Sequence, residues 1–293
     1  MPHDERIAWL DAGRVLAAGF VVLFHLLYEL WPDSGLRPVG FMGASLFFIL
    51  SGFSLASRYP EAISFRLDWM KKRWLRIAVV YYPALVAVFS LFPTQVTHAG
   101  LFALFTHFGF IDFLFPDTAY AIISPAWFLI PLMGLYIVFP FLNRLVKMNG
   151  WVVLPAFIAM ALLRMSEPYS WTSFSPLFFL GEFCFGIAIV HGSRLPAYAS
   201  VLVALFPNPL MAIPYVIFFV LSRLRLEALG PVLAPIGRRT LEIFLFHEAF
   251  VKAAVGRWSF YGQGVAITLV AVSCAFLLVV AVSSALERRF LKH

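Results

Sequence analysis

Apolar stretches long enough to cross a lipid bilayer recur along this chain, and they constrain its fold more than any other feature. A helix needs about 20 residues to cross a hydrocarbon core of about 30 Å. Membrane β-strands are shorter and alternate in hydropathy, a pattern that this sequence lacks. The sequence therefore predicts an all-α polytopic membrane protein. The stretches lie near residues 8–30, 40–57, 75–92, 101–115, 124–146, 150–164, 174–191, 197–222, 237–255 and 264–286.

Composition leaves almost no room for a water-soluble part. Of 293 residues, 62% are apolar and 13% are charged. In soluble domains about a quarter of all residues are charged. We therefore expect residues 1–293 to form a single transmembrane domain. Cys184 and Cys274 both lie in apolar stretches, which favours packing roles and predicts no metal site. Asp4 and Glu5 stand where a cleavable signal would be basic, so we expect the first stretch to remain as a span.

The placement of lysine and arginine selects between two topologies. The stretch at 101–115 is short, and the one at 197–222 is long and interrupted by Pro207, Asn208 and Pro209. If the first does not cross and the second crosses twice, 17 of the 22 basic residues face the cytoplasm, as the positive-inside rule requires. If 101–115 crosses, the tally becomes 10 against 11. We predict about ten spans, both termini in the cytoplasm and an external or re-entrant segment near 101–115. The basic residues assigned outside are Arg37, Arg164, Lys252 and Arg257.

Two ionisable residues interrupt the first apolar stretch. Arg14 and His25 are eleven residues apart, which is about 16 Å along a helix, and eleven steps of about 100° return to nearly the same face. Ionisable side chains inside a membrane are costly and mark functional sites. The alternative is that Arg14 extends to the lipid headgroups and His25 makes one hydrogen bond between helices.

Short motifs follow this pair in a fixed order. They are the LDxxR and the histidine eleven residues after its arginine, GFMGASLFFILSGF from Gly40 to Phe53, the RxxR of Arg73 and Arg76, the WFL that begins at Trp127 with Tyr136 and Pro140 behind it, the FLG that ends at Gly181, and the RTLEIFLFH that ends at His247. Together they resemble the membrane-bound acyltransferase 3 family over about residues 9–286. Two departures stand out: Leu132 replaces the family's glutamate, and the family's late tyrosines are replaced, with Phe244 and Phe246 just before His247.

The resemblance implies transfer of a short acyl group, typically acetyl, from cytoplasmic acyl-CoA to a hydroxyl of a glycan, a lipid-linked sugar or a small molecule. Acyl-CoA is then a co-substrate, with no bound cofactor. Arg73 and Arg76 share a helix face, and their guanidinium groups suit the phosphates of CoA; the alternative is an ordinary basic collar. Arg14 would bind the pantetheine end or a phosphate. His25 would act as general base or carry the acyl group itself.

Weaker candidates for the substrate cavity are Ser51, Trp127, Tyr136, His247 and Glu248. Glu182 and Glu248 are the alternative carboxylates for the one missing at Leu132. His107 and Asp112 fit an HxxxxD pattern of glycerolipid acyltransferases, which we interpret as coincidence because nothing else of that family is present.

Two other functions stay open. A transporter of an anionic or glycosylated compound would use Arg14 and His25 as substrate and proton sites, and Leu132 keeps open a family member without catalysis. The net charge of +7 lies in loops next to the membrane, so we predict a lipid bilayer and no nucleic acid as partner. The resemblance favours a multi-pass protein of a bacterial cell membrane.

Overall fold

The computed structural model describes residues 8–32, 37–61, 67–93, 100–115, 118, 120–166, 174–206 and 208–291. Within these residues all regular structure is helical, as the sequence predicts. The α-helices are α1 (Ala8–Leu30), α2 (Arg37–Arg58), α3 (Leu67–Leu91), α4 (Gly100–Phe108), α5 (Leu129–Met148), α6 (Val153–Ser166), α7 (Leu180–Val190), α8 (Arg194–Ala204), α9 (Ile213–Leu221), α10 (Gly230–Arg238), α11 (Thr240–Ala254) and α12 (Val265–Phe290). Short 3-10 turns precede α5, α6, α7, α9, α10 and α12.

Five helical segments in the described part of the chain are long and apolar enough to cross a membrane. They are Ala8–Leu30, Pro38–Arg58, Trp69–Leu91, Ser124–Met148 and Val265–Phe290. Four further apolar segments are shorter than a full crossing needs: Gly150–Met165, Pro176–Val190, Arg194–Ala204 and Pro209–Leu221. A polytopic membrane protein is therefore supported, while a total of about ten spans and the side of each terminus stay predictions.

The stretches at 101–115 and 197–222, on which the choice of topology depends, both form short helices. In 101–115 the helix α4 is 9 residues long, which covers about 13 Å and is too short to cross the bilayer. The stretch at 197–222 divides into α8 and α9, as the proline pair predicts. Pro207 itself lies outside the described residues, and Asn208 caps the turn before α9 by accepting a hydrogen bond from the Leu210 backbone N–H at 3.0 Å.

The helices group into two compact units. The first unit comprises Met1–Val21, Arg37–Arg66 and Phe128–Arg238. In it α2 packs along α7, because glycines let the two backbones approach: a Cβ on Gly52 would overlap the carbonyl of Phe183, and one on Gly186 would overlap the carbonyl of Ile49. The rings of Phe48 and Phe179 stack at 4.1 Å between centroids in the same interface.

The second unit comprises Val22–Leu36, Leu67–Trp127 and Arg239–His293. In it α3, α11 and α12 pack against one another. The hydroxyl of Tyr82 on α3 donates to the Phe108 carbonyl at the end of α4, at 3.0 Å. Helix α1 contributes residues to both units, and the single domain predicted from the sequence stays a prediction.

Candidate active site

His25 contacts a second histidine within the second unit. His25 lies in the C-terminal half of α1 and is half-buried. Its ring contacts the ring of His247 on α11 edge to face, with 4.7 Å between the centroids and 62° between the planes. The ring of Phe24 also contacts the His25 ring, with 5.0 Å between the centroids. The structure thus brings together two of the residues that the sequence singled out, from positions more than 200 residues apart.

The protonation pattern of His247 is fixed by its own helix. Its side chain is buried, with 3% exposed, and its Nδ1 lies 2.6 Å from the carbonyl oxygen of Phe244. Because a carbonyl oxygen only accepts hydrogen bonds, Nδ1 carries the proton, and in the neutral ring Nε2 keeps a lone pair. That Nε2 is buried and has no hydrogen-bond partner among the described residues.

Glu248 supplies a carboxylate that acts electrostatically on His25. It forms an ion pair with Lys252, one turn further along α11, with 2.7 Å between Oε1 and Nζ. Both charged groups act electrostatically on His25. Lys252 also lies over the ring of Trp258, 4.6 Å from the centroid. Glu248, one of the two alternative carboxylates named from the sequence, therefore acts electrostatically on His25.

Arg14 is held by two polar groups of the first unit. Its Nη1 lies 3.0 Å from Oδ1 of Asp11 and its Nη2 donates to Oγ of Ser54 at 3.3 Å. Asp11 is buried against Gly237, whose missing Cβ leaves the space that the carboxylate occupies. About a third of the Arg14 side chain, 32%, is exposed, so part of the guanidinium is open to an anionic ligand. The serine next to Arg14 is Ser54; Ser51, one of the weaker candidates from the sequence, is half-buried one turn earlier.

Arg73 and Arg76 lie in the first half of α3, three residues apart. The guanidinium of Arg73 lies over the ring of Trp69, 5.5 Å from its centroid, a contact that orients the planar group. Arg76 is exposed and Arg73 is half-exposed. Both arginines are thus presented at the start of a candidate span, next to Lys71, which is exposed as well.

The remaining residues singled out from the sequence are spread over both units. Trp127 lies in the turn before α5, at the end of the Leu67–Trp127 segment of the second unit. Tyr136 lies on α5 in the first unit, and both side chains are half-buried. Leu132 is buried, at 6% exposed. Among the described residues no three His, Cys, Asp or Glu side chains come together in a way that could hold a metal ion.

The sequence missed a buried ion pair in the first unit. Arg164 is 7% exposed and pairs with Glu182, whose side chain is fully buried, with 2.7 Å between Nη2 and Oε1. Ser45 donates to the same carboxylate oxygen at 2.9 Å. Arg164 also donates to the Phe178 carbonyl, at 2.8 Å from Nη2. Glu182, the second alternative carboxylate, is therefore engaged with an arginine that the topology argument treated as a loop residue.

A second buried cluster in the second unit contains the two HxxxxD residues, which lie outside the candidate spans, and Tyr81 of α3. His107 and Asp112 are buried and face each other, with 3.8 Å between Nδ1 and Oδ2, and the Tyr81 hydroxyl lies 3.1 Å from the same nitrogen. Burial lowers the pKa of His107 to about 4 and raises the pKa of Asp112 to about 6, because it disfavours the charged forms. Phe110 lies between them in the left-handed region, with φ of 54°. The fold thus brings the HxxxxD residues together, as a buried cluster.

Comparison with known proteins gives one match. Residues 7–190 match the model of a family described as an acyltransferase domain, the acyltransferase 3 family. This range is more than half of the 293 residues and includes Arg14, His25, Arg73 and Arg76; it ends before His247. No curated protein and no solved structure matches the chain significantly. The resemblance seen in the motifs is confirmed: the chain belongs to the acyltransferase 3 family of membrane acyltransferases.

Proposed function

We propose that this protein is an O-acyltransferase of the bacterial cell membrane. It transfers a short acyl group, typically acetyl, from cytoplasmic acyl-CoA to a hydroxyl of a glycan, a lipid-linked sugar or a small molecule. The observation that carries this proposal is the half-buried imidazole of His25 in an apolar helix, beside His247 and the Glu248 carboxylate. A histidine so placed suits a general base, because its charge changes near neutral pH.

The reaction needs one proton acceptor. His25 takes the proton of the acceptor hydroxyl as the oxygen attacks the thioester carbonyl. The new oxygen–carbon bond forms, the carbon–sulfur bond breaks, and the thiolate of CoA takes the proton back from His25. Glu248 stabilises the imidazolium that exists between these two transfers. Direct acylation of His25 is the other route by which the same residue could serve.

The anionic end of the donor needs cations. CoA carries phosphates that do not enter hydrocarbon, and arginine forks bind phosphate in two-pronged geometry. Arg73 and Arg76 offer such forks at the start of α3, and Arg14 has part of its guanidinium exposed while Asp11 and Ser54 hold the rest. These three arginines are the proposed donor-binding residues.

The test uses membranes that contain the full-length protein and acetyl-CoA labelled in the acetyl group. We expect label to enter a hydroxyl acceptor of those membranes, and His25→Ala to lower the rate at least about 100-fold. Arg73→Gln and Arg76→Gln should each raise the KM for acetyl-CoA about 10-fold, since each removes a charge-assisted bond to phosphate. Arg14→Ala should abolish transfer.

Two controls make the result specific. Lys71→Gln removes an exposed cation from the same part of α3 and should leave the KM within about 2-fold. His191→Gln alters a histidine in the first unit that bonds to Asn143 at 2.8 Å, and should keep the rate. Full activity of His25→Ala, with normal amounts of protein in the membrane, would disprove the mechanism. Absence of transferred label with the wild type would disprove the function.

A further inference from the structure

We infer that His247 is a positioning residue for His25: it accepts a hydrogen bond from one ring nitrogen of His25 and so leaves the other nitrogen as the base that faces the hydroxyl. This inference rests on the proposed function. The residue lies outside the range that matches the family model, and its role follows from four features of the second unit.

The first feature is the fixed proton of His247. The Phe244 carbonyl, 2.6 Å from Nδ1, holds the hydrogen on that nitrogen. A neutral imidazole has one donor and one acceptor nitrogen. Nε2 is therefore an acceptor, and its direction is set by a backbone bond within α11.

The second feature is that this acceptor lacks a partner. Nε2 of His247 is buried without a hydrogen bond in the described structure, and a buried polar atom left unpaired costs free energy. Among the described residues, the rings of Phe244 and His25 contact the His247 ring. The Phe244 ring has no polar atom, and its centroid lies 5.7 Å away. His25 has two ring nitrogens and lies at 4.7 Å.

The third feature is the charge around the pair. Glu248 and Lys252 on α11 form an ion pair, and both act electrostatically on His25, the carboxylate more strongly than the ammonium group. A positive charge on His25 is met by the Glu248 carboxylate, which removes the need for His247 to take a proton. His247 can therefore stay neutral and keep its acceptor through the reaction.

The fourth feature is the difference in exposure. His25 is half-buried, so part of its ring is open to a substrate, whereas His247 is 3% exposed. Hydrogen bonds of catalytic groups are often loose before substrate binds. A short movement of the His25 ring in its contact with His247 would form the bond, with the open edge of His25 then free for the hydroxyl proton.

The proton balance is the one given for the proposed reaction. The hydroxyl proton moves to the open nitrogen of His25 and then to the CoA thiolate, while the other nitrogen of His25 keeps its hydrogen, bonded to Nε2 of His247. No proton accumulates on His247. A histidine held in the wrong tautomer loses most of its catalytic effect, so the consequence of losing this acceptor falls on kcat.

The experiment compares three substitutions in the same labelled acetyl-CoA assay. His247→Phe keeps a ring next to His25 and removes the acceptor, and it should lower kcat at least about 10-fold with the KM for acetyl-CoA unchanged. His247→Gln keeps a side-chain acceptor oxygen and should recover most of the lost kcat. Phe246→Leu alters a fully buried neighbour that packs on Phe276 and should leave kcat within about 2-fold.

The outcomes separate this role from the proposed function. If the wild type transfers label and His247→Phe transfers it at the same kcat, the role of His247 is disproved while the function stands. Equal losses in all three variants would show that His247 serves only packing, which also disproves the role. If the Phe variant does not reach the membrane, His247→Leu takes its place in the same comparison with the Gln variant. A wild type without transfer disproves the function itself.

Discussion

Arg164 and Glu182 form an ion pair that is almost completely removed from solvent, with 7% and 0% of the side chains exposed. The carboxylate also accepts from Ser45, and Arg164 bonds to the Phe178 carbonyl and lies over the Phe178 ring at 4.8 Å. The contacts of Arg164 and Ser45 both go to Oε1 of Glu182, while its Oε2 is buried without a hydrogen-bond partner among the described residues. The pair therefore fixes how α6 and α7 pack within the first unit.

Removing one member of this pair should be costly. Glu182→Leu leaves the guanidinium of Arg164 buried without its carboxylate, and we expect the free energy of unfolding to fall by about 3–5 kcal/mol. The double variant Arg164→Met with Glu182→Leu buries no unpaired charge and should be more stable than Glu182→Leu alone. Thermal unfolding in detergent measures both.

The matched control is an exposed ion pair of the same unit. Lys147 and Glu61 are 2.7 Å apart with side chains 41% and 85% exposed, and Lys147 lowers the pKa of Glu61 by its hydrogen bond and charge. Glu61→Gln should leave the midpoint of thermal unfolding essentially unchanged, because solvent screens an exposed pair. If the double variant were as unstable as the sum of its single variants, the two residues would not act as a pair.

The residues predicted from sequence and those missed differ for a physical reason. Arg14 and His25 are conspicuous because each interrupts an apolar stretch, which a membrane tolerates only for a purpose. Arg164 ends the stretch at 150–164 and resembles a loop residue. Its pairing with Glu182 depends on how two helices pack, and no periodicity of the sequence carries that information.

At the scale of elements, the sequence predicts where helices form better than it predicts how they pack. Apolar stretches and the proline pair predicted most helices and the division between α8 and α9. They did not predict that α6 to α9 would be shorter than a span, because hydropathy does not register where a backbone leaves the helical conformation. Small residues permit close helix packing; in α2, Gly43 lies against Ala17 of α1 and Gly52 against Phe183 of α7.

That close approach gives a prediction for an element. At Gly186 a Cβ would overlap the Ile49 carbonyl and come 2.5 Å from the Phe53 backbone nitrogen on α2. Backbone atoms cannot move aside as a flexible side chain can, so Gly186→Ala should destabilise the protein by about 1–3 kcal/mol. Thermal unfolding in detergent is again the measurement.

A second glycine offers the matched control. Gly19 lies inside α1, and a Cβ there meets nothing within 4 Å. Gly19→Ala should be neutral or stabilise the protein by up to about 1 kcal/mol, because alanine favours the helix. Gly186→Ala with the stability of the wild type would mean that α2 and α7 do not depend on this approach.

At the scale of the whole molecule, the topology rests on residues 101–115. The helix α4 buries Ala103, Thr106 and His107 and exposes its phenylalanines. This is the pattern of a short amphipathic helix with an apolar outer face, and it agrees with a segment that does not cross. Because every later loop changes side if this segment crosses, one experiment on it decides the orientation of the chain from α5 onward.

We expect a cysteine on the loop after α4 to react with a membrane-impermeant thiol reagent applied to intact cells, and a cysteine at the end of α5 to react only after the membrane is opened. Asp117, the position favoured from the sequence, lies outside the described residues, so Tyr120, 48% exposed, takes its place and Met148, 73% exposed, represents the other side. Cys274 is exposed and is first replaced by serine, while Cys184 is buried and serves as an internal check for unwanted labelling.

Labelling of Tyr120→Cys alone in intact cells supports ten spans with a non-crossing α4, because Met148 then faces the cytoplasm with the basic end of α5. The reverse pattern would mean that 101–115 crosses the bilayer and that the positive-inside tally fails for this protein.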